Sequence, residues 1–245
     1  MRIAVVGATG RAGRHVVDLA QQAGHEVVPI SRSQGVDIIT GEGLAEALAG
    51  VDTIIDVATG PSPEEQPATE FFLTATRNLQ EAGVQAGVKR IVVASIVGTD
   101  RFDSGYGVAK VAHERAMLAG PIPALILRAT QFHEFVAQLT DWGVQGDVAY
   151  VPRMRTQLVA SRAVAQALLD LATGPGDGPT ITEIAGPREE SLVESAKLLA
   201  AQRGTPARIE AVSAPDGAYE SGGLLPGPDA TLAGPTFEEW LRSAA

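Results

Sequence analysis

Apolar and polar positions along the 245 residues follow two alternating periods, and that alternation predicts the architecture. Residues 3–6, Ile-Ala-Val-Val, form a short apolar run rich in β-branched side chains. Gly7, Gly10 and Gly13 follow at three-residue spacing, and Val16, Val17, Leu19, Ala20 and Ala23 then recur at a helical period over 14–23. The pattern predicts strand, glycine turn and helix, the helix ending near Gly24. Further strands are expected at 25–30, 36–40, 51–57, 88–95, 124–128, 147–151 and 180–184, with helices at 44–49, 68–86, 106–118, 161–172 and 191–201. Phe72, Ala75, Leu79 and Ala82 share one stripe of the 68–86 helix, which marks it as scaffold. Residues 213–235 are rich in Gly and Pro and read as loop, before Phe237, Trp240 and Leu241 anchor a last short helix. Strands alternating with helices imply an α/β fold: a Rossmann-type, doubly wound, mostly parallel sheet.

The glycine turn carries the first chemical signal. A chain with 27 glycines shows this spacing about 0.3 times by chance, so its position after the first strand and before a helix matters more than the spacing. There, backbone N–H groups approach a pyrophosphate and the helix dipole faces its negative charge. Gly7, Thr9, Gly10, Arg11, Ala12 and Gly13 are the expected contacts. At the end of the second strand an NAD-type unit carries an acid for the ribose hydroxyls; here the chain reads Ile30-Ser31-Arg32-Ser33. Arg32 can pair with a 2′-phosphate, Ser31 and Ser33 can donate to it, and Arg11 can reach the same group. The expected cofactor is NADP(H), with NAD(H) the alternative. Pro29 conflicts mildly with a central strand. Val57, Ala58 and Thr59, just beyond a strand's carboxyl end, are expected to wall the adenosine side, and Thr130, Gln131 and Phe132 the nicotinamide side. Asp56 is read as local backbone support.

Composition narrows the field. Net charge is −10, and of 19 basic residues only Lys89, Lys110 and Lys197 are lysines. Without a basic stripe, nucleic-acid binding is not expected. No apolar run approaches the ~20 residues that span a membrane, and no signal peptide is read, so a cytoplasmic protein is expected. There is no cysteine, and His15, His25, His113 and His133 lack metal-ligand spacing, so no metal is expected.

Tyr106 and Lys110 lie four apart on the 106–118 helix, on one face, after a strand that ends in Ser95. A phenol near a substrate oxygen can exchange the proton that accompanies hydride transfer, and a neighbouring ammonium would lower its pKa. Ser95 can hydrogen-bond the same oxygen. His133, Phe135 and Trp142 follow the 124–128 strand and are candidates for the substrate wall.

Together, Gly7, Gly10, Gly13, Ser95 and the Tyr106/Lys110 pair resemble the extended and atypical short-chain dehydrogenase/reductase superfamily, in particular its NmrA-like NAD(P)-binding proteins. Segments 127–135, 183–187 and 222–229 are similar to bacterial members. The resemblance implies one NAD(P)-binding domain over 1–245, with a Rossmann core mainly in 1–128 and 155–185 and a substrate-binding cap mainly in 129–154 and 186–245. It implies a nicotinamide cofactor and a small-molecule substrate such as a carbonyl, quinone or unsaturated compound; the sequence does not fix the oligomeric state, and a homodimer is one option. Some NmrA-like members lack the tyrosine and act as redox sensors through protein partners. A sensor, or an isomerase or epimerase with retained nicotinamide, are the alternatives to a reductase.

Overall fold

Ile3, Ala4, Val5 and Val6 are all buried, so the first strand has no solvent face and belongs inside a parallel sheet covered on both sides. The computed structural model describes residues 1–214 and 216–243. Pro215, inside the expected 213–235 loop, and the last two residues of the expected C-terminal region lie outside the described residues.

In chain order the elements are β1 (Arg2–Val6), α1 (Arg11–Gln22), β2 (Glu26–Ile30), α2 (Leu44–Leu48), β3 (Thr53–Asp56), α3 (Glu65–Ala86) and β4 (Arg90–Ile96). Next come α4 (Tyr106–Ala119), β5 (Ala124–Ala129), α5 (His133–Trp142), β6 (Val144–Gln145), β7 (Val148–Pro152), β8 (Arg155–Thr156) and α6 (Ser161–Thr173). The chain finishes with β9 (Ile181–Ala185), β10 (Glu190–Ser191), α7 (Leu192–Arg203), β11 (Arg208–Val212), α8 (Gly217–Ser221), β12 (Thr231–Leu232) and α9 (Phe237–Ser243). A seven-stranded, all-parallel sheet has the order β12-β9-β5-β4-β3-β1-β2, the Rossmann-like arrangement that the pattern predicts.

The chain divides into two compact units, residues 1–128 with 164–182, and residues 129–163 with 183–245. The first is built on a core that includes Ala4, Val6, Ile30, Leu48, Ile54, Leu79, Ile91, Val93, Met117 and Ile126. Its strand register decides where chemistry can gather: Val6 pairs with Ile30 and with Asp56, and Asp56 with Val93. Three strands, β1, β2 and β3, therefore end in one row, and the segments from Gly7, Ser31 and Val57 leave from the same edge, with β4 running on past Val93 to Ile96. In the second unit, β11, β7 and β6 form one small sheet, and β10 with β8 another. Residues 155–163, which the sequence reading joins to the core, group with this unit. The Thr130 hydroxyl donates to Gln157 O, and Val159 N to Gln131 O.

Several boundaries differ from expectation. Residues 36–40 form no strand: Asp37 Oδ1 accepts from Ile39 N at 2.7 Å, and Asn78 Nδ2 donates to the carbonyls of Ile38 and Ile39, so turn and side-chain contacts use that backbone. β2 is consequently the sheet edge, where Pro29 without an N–H is tolerated. Helix α1 starts at Arg11 and takes in Gly13, while α3 starts at Glu65 with Pro67 in its first turn, where a missing N–H costs nothing. β11 was not expected, and α8 and β12 punctuate the expected loop. No helix among the described residues is long and apolar enough to cross a membrane.

Candidate cofactor and catalytic site

The glycine turn is shaped by close approach. Gly7 has φ +79°, which side chains avoid, and its N–H donates to Ile30 O at 3.0 Å. A Cβ on Gly7 would press on the backbone of Val57 and Ala58 at 3.0–3.1 Å, and one on Gly13 would drive into Gly7 O. Gly10 caps α1 without a side-chain hydrogen bond, and the first turn holds no acid. The Ala12 and Gly13 N–H groups have no intrahelical carbonyl to reach, so the positive end of a 12-residue helix opens beside a turn too tight for side chains. That cradle fits a pyrophosphate.

Ser31, Arg32 and Ser33 follow directly from Ile30. Ser31 Oγ and Ser33 Oγ lie 3.0 Å apart, and Arg32 opens a single 3₁₀ turn closed by Gly35. Arg32 is exposed, with no ion pair or side-chain hydrogen bond among the described residues. Across β1, Val57 N donates to Val6 O, and Asp56 Oδ1 takes the Ala58 N–H at 2.9 Å. The adenosine-side candidates Val57, Ala58 and Thr59 thus adjoin Gly7.

The catalytic candidates sit against a buried charge network that the sequence reading largely missed. The Lys110 ammonium is buried, donating to Ala94 O at 2.9 Å, with His113 Nδ1 at 3.0 Å and the Phe72 ring centroid at 4.5 Å. His113 stacks on Phe72 at 4.5 Å and faces Asp56 Oδ2 at 3.5 Å. Glu114 receives a fork from Arg128, Nε to Oε1 at 3.0 Å and Nη2 to Oε2 at 2.7 Å, while Arg128 Nη1 reaches Asp100 Oδ2 at 2.9 Å. The Ser95 hydroxyl donates to Glu114 Oε1. Asp56 therefore does more than support backbone. The available signal was His113 and Glu114 one turn beyond Lys110, and Arg128 in an apolar strand.

Tyr106 packs edge-on against Phe72, ring centroids 5.9 Å apart. Burial pushes its phenol up to about 12, the reverse of the expected lowering, because the Lys110 ammonium points to Ala94 and His113. Burial brings Lys110 down to about 8 against the pull of Asp56 and Glu114, and burial and then the Lys110 charge hold His113 below the usual imidazole range.

In the second unit, residues expected beside nicotinamide and substrate are used internally. Thr130 is bonded to Gln157 O, Gln131 Oε1 accepts from Thr156 Oγ1 at 2.6 Å, and Phe132 bridges to Val159. His133 is not a substrate wall. It is fully buried, edge-on to Phe237 and tilted against Trp240, with Nε2 at 3.1 Å from Pro235 O. Trp142 is 67% exposed and encloses nothing in that unit, and Phe135 is half-buried on α5. No group of three or more His, Asp or Glu able to hold a metal occurs among the described residues.

A family model described as NAD(P)H-binding matches residues 7–175, from the glycine turn to beyond α6. The chain belongs to this NAD(P)H-binding family. Its cofactor is a nicotinamide dinucleotide, in keeping with the Gly7–Gly13 cradle. An L-arabinose 1-dehydrogenase (NAD(P)(+)) of Haloferax volcanii is 30% identical over 127 residues, 48% of each chain. A photosystem II assembly factor Ycf39 of Synechocystis, an NmrA-like relative, is 33% identical over 111 residues, 40% of this chain and 34% of its own. The chain spans about half or less of the length of the curated relatives it matches. Among solved structures, MoeE5 in complex with UDP-glucose and NAD superposes over 100% of this chain and 99% of its own, with TM-score 0.73 and 22% identity. RMD from Pseudomonas aeruginosa complexed with NADPH does so over 98% and 96%, with TM-score 0.71 and 16% identity. These likenesses show a shared Rossmann-like fold.

Proposed function

We propose that this NAD(P)H-binding protein is an NADP(H)-dependent reductase of a small organic substrate, a carbonyl, quinone or unsaturated compound. The observation that carries the reading is Tyr106, a half-buried phenol one helical turn from the buried Lys110 ammonium, on the helix that follows β4. The phenol is protonated at neutral pH and can give its proton to a substrate oxygen during reduction, although burial, which pushes it up to about 12, makes it a weaker acid than a free tyrosine. When bound, the nicotinamide supplies the hydride. The Ala12 and Gly13 N–H groups and the α1 dipole would hold its pyrophosphate, at a turn where the Ala58 backbone approaches Gly7 closely. Lys110, whose ammonium is turned to Ala94 O and His113, would act on Tyr106 through its charge from one helical turn away.

The test is NADPH consumption against quinones, ketones, imines, enones and triarylmethane dyes, with Tyr106→Phe beside the parent. Turnover should fall at least about 100-fold in a variant that still binds NADPH, the usual worth of a positioned acid. Turnover indifferent to the change would discard the proton-transfer role.

The preference for NADP(H) rests on Arg32, an exposed guanidinium between two serines with no acid at the strand end. Arg32→Ala is expected to weaken NADPH binding by about 1–3 kcal/mol more than NADH binding, the worth of a charge-assisted contact. Equal losses for the two cofactors in fluorescence titrations would remove the assignment.

One observation favours a second reading, a cofactor-loaded sensor acting through a protein partner. Ser95 is committed to Glu114, and Lys110 to Ala94 O and His113, so two of the three candidate catalytic groups already have partners. A pull-down whose partners change between NADPH and NADP+ supports the sensor, and an unchanged set counts against it.

A further inference from the structure

We propose that His113 is a positioning residue for Lys110: a buried Asp56–His113–Lys110 chain fixes where the ammonium sits and how readily it gives up a proton. The proposal rests on the reading of Lys110 as support for proton exchange at Tyr106, and it extends that support to two residues outside the Tyr/Lys pair.

The chain has a direction. Lys110 carries only donors when charged, so His113 Nδ1, 3.0 Å away, must present its lone pair. The ring proton then sits on Nε2 and faces Asp56 Oδ2 at 3.5 Å, long for a hydrogen bond, with no closer acceptor among the described residues. Asp56 is held from its other oxygen, which accepts the Ala58 N–H at 2.9 Å. The end of β3 that walls the glycine turn is thereby linked through one imidazole to the lysine on α4. Phe72 of α3 supports both members, its ring stacked on His113 and facing the ammonium.

Charged and polar groups face the pair from several elements. Asp56 faces the pair from β3, and Glu114 from α4 itself. Ala94 of β4 offers its carbonyl, and Arg128 of β5 ties Glu114 with help from Asp100. A neutral His113 adds a second acceptor, beside the Ala94 carbonyl, that stabilises the ammonium without a further buried charge. Replacing it removes that acceptor from a buried cation, so the lysine should lose its proton at lower pH.

The chain can be read without a substrate. In protein carrying 13Cε-lysine, the three lysines give three titrating signals, and Lys110→Arg assigns one of them. Lys110 should titrate near 8 in the parent. In His113→Phe, which keeps a ring against Phe72, the midpoint should fall by about one pH unit or more. Asp56→Asn keeps an oxygen for the Ala58 N–H but turns an amide N–H toward Nε2. Nitrogen-15 histidine shifts should then show the His113 proton moving from Nε2 to Nδ1, with the lysine midpoint falling as well; this variant carries the test if His113→Phe does not fold. A midpoint unmoved in the variants that fold, or a parent His113 protonated on Nδ1, overturns the proposal. Turnover measured in parallel separates the two readings. A shifted lysine in a protein that turns over no substrate sustains the positioning and sinks the reductase. An unshifted lysine in an active enzyme does the reverse.

Discussion

Gly13→Ala is expected to abolish NADPH binding and to cost about 3 kcal/mol of stability, at the upper end for one methyl forced into a packed site. The reason is local and rigid. The added Cβ would drive into Gly7 O and crowd Gly7 C at 2.8 Å and Ala8 Cα at 2.9 Å, all backbone, so no flexible side chain can swing away. Either α1 backs off the sheet or the turn opens. The first loses the burial of Val16 and Ala20, and the second moves the N–H groups proposed to receive the pyrophosphate. Gly24→Ala is the control: its φ of +78° also resists a side chain, but nothing lies within 4 Å of the added carbon. It should cost only about 1 kcal/mol, for the left-handed backbone, and bind NADPH as the parent does. Urea unfolding and NADPH fluorescence titration read both quantities. Gly13→Ala binding cofactor with parent affinity would mean that the pyrophosphate lies elsewhere.

Arg128→Ala carries the largest stability effect expected in the chain, about 3–5 kcal/mol, because it strands the buried Glu114 carboxylate. Glu114 would keep only the Ser95 hydroxyl of its present side-chain contacts, and Asp100 would lose its guanidinium. The desolvation of the carboxylate is then uncompensated. Replacing both members, Glu114→Gln with Arg128→Met, should cost at least about 1 kcal/mol less than Arg128→Ala alone, since no charge is left unpaired. Chemical denaturation of the parent, the single and the double variant decides it. If the double variant is the less stable, the fork itself contributes net stability rather than merely satisfying a buried charge.

These two effects bear on function differently. Gly13 acts at the proposed cofactor cradle, whereas Arg128 and Glu114 hold the candidate catalytic helix: Glu114 is one turn from Lys110 and accepts from Ser95. A loss of turnover in an Arg128 variant that remains folded would therefore implicate positioning of Ser95 and α4. Retained turnover would leave Ser95 as a structural hydroxyl whose partner is Glu114.

The glycine turn, the parallel sheet and the nicotinamide cofactor were legible in the sequence because each is written locally. A β-branched run, three glycines and a helical period lie within two dozen residues, and the backbone conformation they demand needs no distant partner. The 36–40 strand failed for the opposite reason. Its pattern was adequate, but Asn78, some forty residues on, takes the carbonyls of Ile38 and Ile39. The same loss of a strand explains Pro29, which looked misplaced only while β2 was taken to be flanked on both sides. His133 was misjudged because a histidine after a strand has the same sequence signature whether it faces a ligand or, as here, Phe237 and Trp240.

By itself the sequence determined the α/β class, the dinucleotide turn, the residues available at the end of β2, and the helical spacing of Tyr106 and Lys110. Propensity, periodicity and short-range sterics act over a few residues, so one stretch of chain suffices to read them. Only the tertiary structure decided what surrounds those groups. Register set Val6, Ile30, Asp56 and Val93 in one row, and packing turned Lys110 toward Ala94 and His113 and gave Glu114 to Arg128. A pKa or a catalytic orientation depends on desolvation and on charges from distant segments, and those exist only once the strands have paired.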